Sequence, residues 1–416
     1  MKKRLVLMAL AGVALAGCVN DEVADISQKQ EQAKSTKIVF ESPVMYDNST
    51  GSRANYHGEV GGHQYTNGGI IYSYPKEENF QIFAVKHNGD FAGWATAEKA
   101  LFNDKSVSYD LTVDGWAPKK DDGQFYFWDN DKKISFAACS PADLQQADGW
   151  RGRSYDAQGL KLENFTIPAD AAQQFDLMFS ERAVNKHKGD MNHGAEYYSG
   201  LPIKFQHALS SIRFSISNKS TYDVVLKKNS VYGVNSEGTF QENLREDEGD
   251  YKRYEIKENA DDQVFNVAPA WTGQTTPVEK ANEYIAFNGS LTFPNEPRYV
   301  AELVGEKTVK EDKVNHLLLL PQGLPDNAYL VVEYTVNNAK ATKTLQLKTA
   351  KLVEKDSSGN EKEGDPITKW ELGTRYTYRL VYSAAAADKD KIYFSPKSDN
   401  WKDAGVAVID LASHVD

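Results

Sequence analysis

Between Ser211 and Ser217 apolar and polar residues alternate without a break: Ile212, Phe214 and Ile216 fall on one face, Arg213 and Ser215 on the other. A period of two is that of a half-buried antiparallel strand, because successive side chains of an extended chain point to opposite sides. The pattern returns at Tyr329–Val336, Thr342–Leu347 and Arg375–Tyr382, and shorter apolar runs stand at Ile38-Val39-Phe40 and Phe80–Val85. Gln124–Trp128 and Lys133–Ala138 flank Asp129–Lys132, which predicts a hairpin, and Asn337-Asn338 between Val336 and Lys340 is a further turn signal. Helical periodicity is weak throughout, with Thr96–Phe102 the best short candidate. Strands joined by turns, with few helices, predict an all-β chain built of β-sandwich domains.

A chain of 416 residues is too long for one core. We expect a domain spanning 37–200 and another spanning 201–416. The break is set near Tyr197–Pro202, where Ser199-Gly200 precedes new strand patterns, or as late as Gly238. Segments 241–262 and 354–365 are dense in charge and read as solvated loops. The net charge of -11 excludes nucleic acid as a partner, since no basic stripe is present to neutralise phosphates. It equally excludes electrostatic adhesion to anionic lipid. Two cysteines do not make a disulfide scaffold. Cys139 ends the apolar run Ile134–Cys139 and reads as a buried, inert thiol.

At the N-terminus Lys2, Lys3 and Arg4 precede an apolar run from Leu5 to Ala16, the order of a secretory signal, and the run is too short to span a bilayer. Leu15-Ala16-Gly17-Cys18 resembles the lipobox of bacterial lipoproteins. That resemblance implies a signal peptide over 1–17, cleavage before Cys18 and acylation of its sulfur, followed by a polar tether over 18–36. Asp21 and Glu22 resemble the export signal of surface-exposed lipoproteins in Bacteroidetes. The alternative is an ordinary secretory signal with a chance cysteine.

Chemistry is sparse. No nucleophile elbow, phosphate-binding loop or zinc-protease motif occurs. His57, Glu59 and His63 lie in a Gly-containing stretch with no element to fix their geometry, and Asp129, Asn130 and Asp131 lack the glycine and distal glutamate of a calcium loop. His207 and His316 sit beside apolar strands and read as structural. Trp116, Trp128, Trp370 and Trp401 lie beside strand patterns and read as core, whereas Trp94 and Trp150, in Gly- and Asp-rich loops, are candidates for stacking on sugar. We expect no metal, no cofactor and no catalytic activity.

The motifs in order resemble the fimbrillin family of Bacteroidetes, the subunits of type V pili. They are Ile38-Val39-Phe40, Ser52-Arg53-Ala54, Ile134 to Pro141, Asp176 to Ser180, Ile203 to Phe214, Leu317 to Gln322, Trp370, Gly373, Tyr376-Thr377-Tyr378, Ile392 to Pro396 and Trp401. The resemblance implies two transthyretin-like β-sandwich domains, a lipid-anchored precursor at the outer membrane, and strand exchange. In that scheme a trypsin-like protease cuts between Arg53 and Ala54, the strand Ile38, Val39, Phe40 leaves, and a strand from a neighbouring subunit fills the groove. A donor is available near the C-terminus in Gly405–Leu411, with Val406, Val408 and, after a shift of face, Ile409 or Leu411 as the inserting side chains. The implied partners are other fimbrial subunits, outer-membrane lipid through acylated Cys18, and a host or bacterial surface glycan or protein, serving adhesion and biofilm formation. Two readings stay open beside it. Residues 37–40 and 405–411 can be permanent strands of a monomer, and the chain can be a non-polymerising surface lipoprotein that binds glycan.

Overall fold

The computed structural model describes residues 37–40, 44–47, 62–64, 70–74, 76–89, 99–129, 131–142, 144, 152–156, 159–171, 174–180, 183–186, 201, 203–242, 270–275, 283–300, 316–355, 361–383 and 402–410. They form an all-β protein of layered sheets. Among them no helix is long and apolar enough to cross a membrane.

The largest sheet has ten strands. Its order runs Gly62–Gln64, Ile70–Ser73, Val44–Asp47, Lys204–His207, Met178–Ser180, Lys133–Ser140, Phe80–His87, Lys99–Asp110 and Gly115–Pro118, with Ala183–Lys186 also paired to Lys133–Ser140. Period-two alternation sorts its central strands between two cores. Phe80, Ile82 and Ala84 join Ile134, Phe136 and Ala138 in one, while Phe83 and Val85 join Ala137 and Cys139 in the other. A four-stranded sheet of Arg153–Asp156, Gly159–Thr166, Glu237–Gln241 and Ala270–Thr275 covers that second face. Phe83 meets Tyr155 with ring centroids 4.3 Å apart, and Phe179 meets Phe240 at 5.3 Å.

The first core is enclosed differently, because residues 37–40 return the far edge of the sheet to its interior. Phe40 bridges antiparallel to Trp116 in Gly115–Pro118 and parallel to Leu201, just ahead of Lys204–His207. The sheet therefore closes on itself around Phe40, Phe80, Phe136, Trp116, Leu201 and Phe205. Closure covers the edge at Gly115–Pro118 that an open sheet would have to protect, and leaves Gly62–Gln64 as the last strand at the other end.

The chain passes to a second pair of sheets between His207 and Ser210. One contains Arg298–Tyr299, Ser210–Asn218, Thr374–Tyr382, Lys402–Asp410, Lys351–Lys355 and Glu361–Pro366, with His316–Leu319 also paired to Ser210–Asn218; the other is Tyr284–Thr292, Val224–Tyr232, Tyr329–Val336 and Ala339–Gln346. Ile212, Phe214, Leu226, Leu330 and Leu380 pack between them. The Asn337-Asn338 turn is as expected: both residues have positive φ, 47° and 68°, which asparagine tolerates and a two-residue hairpin demands.

Three local expectations are corrected. Lys99–Phe102 belongs to a strand and not to a helix. Gln124–Trp128 does not pair with Lys133–Ala138; it makes isolated bridges to Lys119 and Lys37, while Lys133–Ser140 pairs with distant strands. Ser210–Asn218 is buried along its entire length and lies parallel to Thr374–Tyr382, so it is a central strand and not a half-exposed one.

Candidate functional site

The first site residues in the described chain are Ile38, Val39 and Phe40, and all three are buried. Main-chain hydrogen bonds hold them from three directions. The Ile38 amide donates to the Tyr126 carbonyl at 2.9 Å, Phe40 and Trp116 exchange a pair at 2.7 and 3.0 Å, and the Leu201 amide donates to the Val39 carbonyl at 2.9 Å. Alternation then sends neighbouring side chains to different places. Ile38 and Phe40 enter the enclosed core, where the Phe40 ring meets Phe136 and Phe80 edge-on at 5.4 and 6.1 Å. Val39 points the other way, into a small cluster with Val113, Ala117 and Phe125. Lys37 lies over the Phe125 ring at 4.3 Å and Lys119 at 5.2 Å, so the seat is rimmed by cation–aromatic contacts.

Sequence reasoning missed a second piece of the same segment. Val44–Asp47 is a strand between Lys204–His207, to which it is parallel, and Ile70–Ser73, to which it is antiparallel. Phe40 is opposite Leu201, Val44 opposite Lys204 and Met45 opposite Phe205, so 40–45 runs alongside 201–205. The apolar triplet Val44-Met45-Tyr46 carried the signal, but it is one residue shorter than the shortest ordinary strand pattern.

The C-terminal candidates are seated in their own chain. Lys402–Asp410 lies parallel to Thr374–Tyr382 in a ladder interrupted once, where the register shifts between Asp403 and Gly405, and unbroken from Gly405 on, placing Val406 opposite Thr377, Val408 opposite Arg379 and Ile409 opposite Leu380. On its other side a single pair joins Ala407 to Leu352. Cys18, Arg53, Ala54 and Leu411 lie outside the described residues, as do Trp94, Trp150, Trp401, His57 and Glu59.

The remaining candidates resolve into structural roles. His207 Nδ1 contacts both oxygens of the buried Asp176 carboxylate, at 2.9 and 2.8 Å. His316 Nδ1 pairs with the Ser211 hydroxyl at 3.0 Å, and burial together with Arg375 and Arg213 holds its pKa well below the usual histidine range. Burial likewise pushes the Cys139 thiol up to about 11, which leaves it protonated and unreactive. Asp129 accepts from the Asp131 amide at 3.2 Å and from Lys86 at 3.3 Å, the bonding of a turn. Among the described residues no three His, Cys, Asp or Glu side chains converge. Trp116, Trp128 and Trp370 are core residues.

Residues 72–401 match the sequence model of a family described as fimbrillin-like. A comparison with curated proteins finds no match. Among solved structures the chain is similar to a candidate cell adhesion protein of Bacteroides uniformis, at 12% identity and a TM-score of 0.41, over 84% of this chain and 95% of that one. A candidate cell adhesion protein of Parabacteroides distasonis aligns at 13% identity and a TM-score of 0.35, over 91% of this chain and 100% of that one. A fimbrial protein of Bacteroides ovatus aligns at 13% identity and a TM-score of 0.28, over 87% of this chain and 53% of that one. These scores are too low to carry an argument, and the family assignment rests on the match over residues 72–401.

Proposed function

The chain belongs to the fimbrillin-like family, and from that premise we propose that it is a fimbrial subunit, made as a lipid-anchored precursor and polymerised by strand exchange. Membership itself supports a fimbrial or adhesive role at the cell surface, structural rather than enzymatic. In the finer reading Cys18 is acylated at the outer membrane and a protease cuts between Arg53 and Ala54. The piece released carries both Ile38-Val39-Phe40 and the strand Val44–Asp47.

The observation that supports this reading is the closure of the ten-stranded sheet by residues 37–40. Removing them leaves the edges at Trp116 and Leu201 unpaired and uncovers the aromatic core around Phe80 and Phe136. Exposed apolar surface costs about 25 cal/mol per Å², and a bare edge invites another strand. A second subunit's strand answers both demands, with main-chain bonds for strength and alternate side chains for register. The C-terminal strand with Val406, Val408 and Ile409 or Leu411 is the donor in this scheme, and it leaves its place beside Thr374–Tyr382 to serve.

Limited trypsin treatment of the purified chain tests the scheme. Ladders that resist mild denaturant are expected from the wild type, and monomers from Arg53→Ala or from a chain truncated after Gly405. Ladders from Arg53→Ala refute cleavage-gated exchange, and ladders from the truncated chain refute the C-terminal donor. Metabolic labelling with a fatty-acid analogue should mark the wild type and spare Cys18→Ala; one or more buried acyl chains supply the membrane affinity at about 0.8 kcal/mol per CH₂.

A further inference from the structure

Gly115 opens the strand Gly115–Pro118, directly against the segment that closes the sheet. A Cβ at this position would stand 2.7 Å from Val39 Cγ1 and 2.9 Å from the Phe40 carbonyl oxygen. Both are closer than packed atoms tolerate. The second contact is to main chain, so no choice of side chain in the occupant relieves it. Nor can the occupant draw back. Its Phe40 position exchanges two hydrogen bonds with Trp116, and the bonds from Leu201 and to Tyr126 fix it on the other sides.

We propose that Gly115 is the specificity-determining residue of this seat: it sets how near a strand approaches, and it restricts the middle of three consecutive buried positions to a compact side chain. The proposal deepens the strand-exchange reading and rests on it for the identity of the occupant. The first and third positions, held here by Ile38 and Phe40, open into the aromatic core and take large apolar groups. The middle position, held by Val39, faces Gly115, Val113 and Ala117, where there is room for valine or alanine. Applied to the C-terminus of a second copy of this chain, the rule admits two registers, Val406-Ala407-Val408 and Ala407-Val408-Ile409. It rejects Val408-Ile409-Asp410 and Ile409-Asp410-Leu411, because Asp410 would place a carboxylate in an apolar seat without a partner. Leu411 is thereby excluded as the third inserting side chain.

The test uses the full chain nicked with trypsin, the protease then quenched, and a fluorescent synthetic peptide of residues 35–42. Uptake is followed by anisotropy and polymerisation by ladder formation on a gel. We expect the peptide to bind the nicked wild type, the same peptide with Val39→Phe to bind about tenfold or more weakly, and the Lys37→Ala peptide to bind within about threefold, since overpacking a tight site costs more than losing one half-exposed cation. Nicked Gly115→Ala should lose uptake by a similar factor and form no ladders. Equal uptake of the Val39→Phe peptide overturns the proposal, as does a Gly115→Ala chain that polymerises like the wild type, or a nicked wild type that takes up no peptide. If Gly115→Ala fails to fold, the peptide series on the wild type decides. A nicked wild type that forms no ladders yet discriminates among the peptides refutes polymerisation and leaves the role of Gly115 standing.

Discussion

Two segments, 37–40 and 402–410, are both paired into sheets of their own chain, and their pairing differs. The first makes few main-chain bonds, divided among Trp116, Leu201 and Tyr126, and buries Ile38 and Phe40 in an enclosed core. The second pairs residue after residue with Thr374–Tyr382 from Gly405 to Asp410, beyond one register shift, and its one ladder pair with its other neighbour is at Ala407. Ile38 and Phe40 are buried in the first, and the second is paired along one neighbour and at a single residue of the other. A one-sided ladder can peel from one end, whereas a plug in a closed ring comes out only as a whole. The proposed exchange therefore asks different things of the two: a cut to release the plug, and a competitor to draw off the ladder.

The largest effect expected is at Phe40. Phe40→Ala removes a ring packed against Phe80 and Phe136 and should lower the stability of the uncut chain by about 3–5 kcal/mol. Urea unfolding followed by tryptophan fluorescence measures it, and a loss below about 1 kcal/mol breaks the claim that side chains hold this segment. Next is Ala407→Pro, which strikes the residue of the C-terminal strand that faces a partner on each side. It takes away a ladder donor and should cost about 1–3 kcal/mol in the same experiment. A cost equal to that of Phe40→Ala would erase the contrast between the two segments.

The smallest effect is a response to acid confined to the sheet that holds 402–410. His316 lies in that sheet on the strand next to Ser210–Asn218. Its pKa is depressed in the folded state by burial and by Arg375 and Arg213, so below the ordinary histidine range the unfolded chain binds a proton that the folded chain refuses. Stability is therefore full above about pH 6.5 and falls as the solution is acidified below it. Between about pH 6.5 and 5.5 the loss should be about 1 kcal/mol, and His316→Gln should remove it. Hydrogen exchange should show acid loosening 402–410 before 37–40; the reverse order would contradict the placement of the titrating group.

Much of this was legible in the sequence because alternation is local. The patterns at Tyr329–Val336, Thr342–Leu347 and Arg375–Tyr382 and the Asn337-Asn338 turn declare themselves in a few residues each; the strands found are 329–336, 339–346 and 374–382, with Leu347 in the turn that follows. Partnership is not local, which is why Gln124–Trp128 was matched to its neighbour in sequence while its bonds go to Lys37 and Lys119. Polarity also misleads where a sheet is covered on both sides. Arg213 and Ser215 read as the polar face of a half-buried strand, yet both are buried, with Arg213 donating to the Thr377 hydroxyl at 2.6 Å. At the site, the apolar run 38–40 announced itself, but the strand at 44–47 fell below the length at which a pattern can be told from chance. Gly115 carried no signal either, because its proposed role lies in what another segment brings within 3 Å of where a side chain would begin.

The bridges of Phe40 to Trp116 and Leu201 also decide how the molecule meets force. Among the described residues, a pull from the N-terminal side meets Lys37, Ile38, Val39 and Phe40 first. Hydrogen bonds between strands lie across the strand axis, so tension along that axis strains the bonds to Tyr126, Leu201 and Trp116 together instead of parting them one by one. In the proposed scheme, the segment whose removal opens the ring is thus, while it is uncut, loaded in shear by tension along its own length.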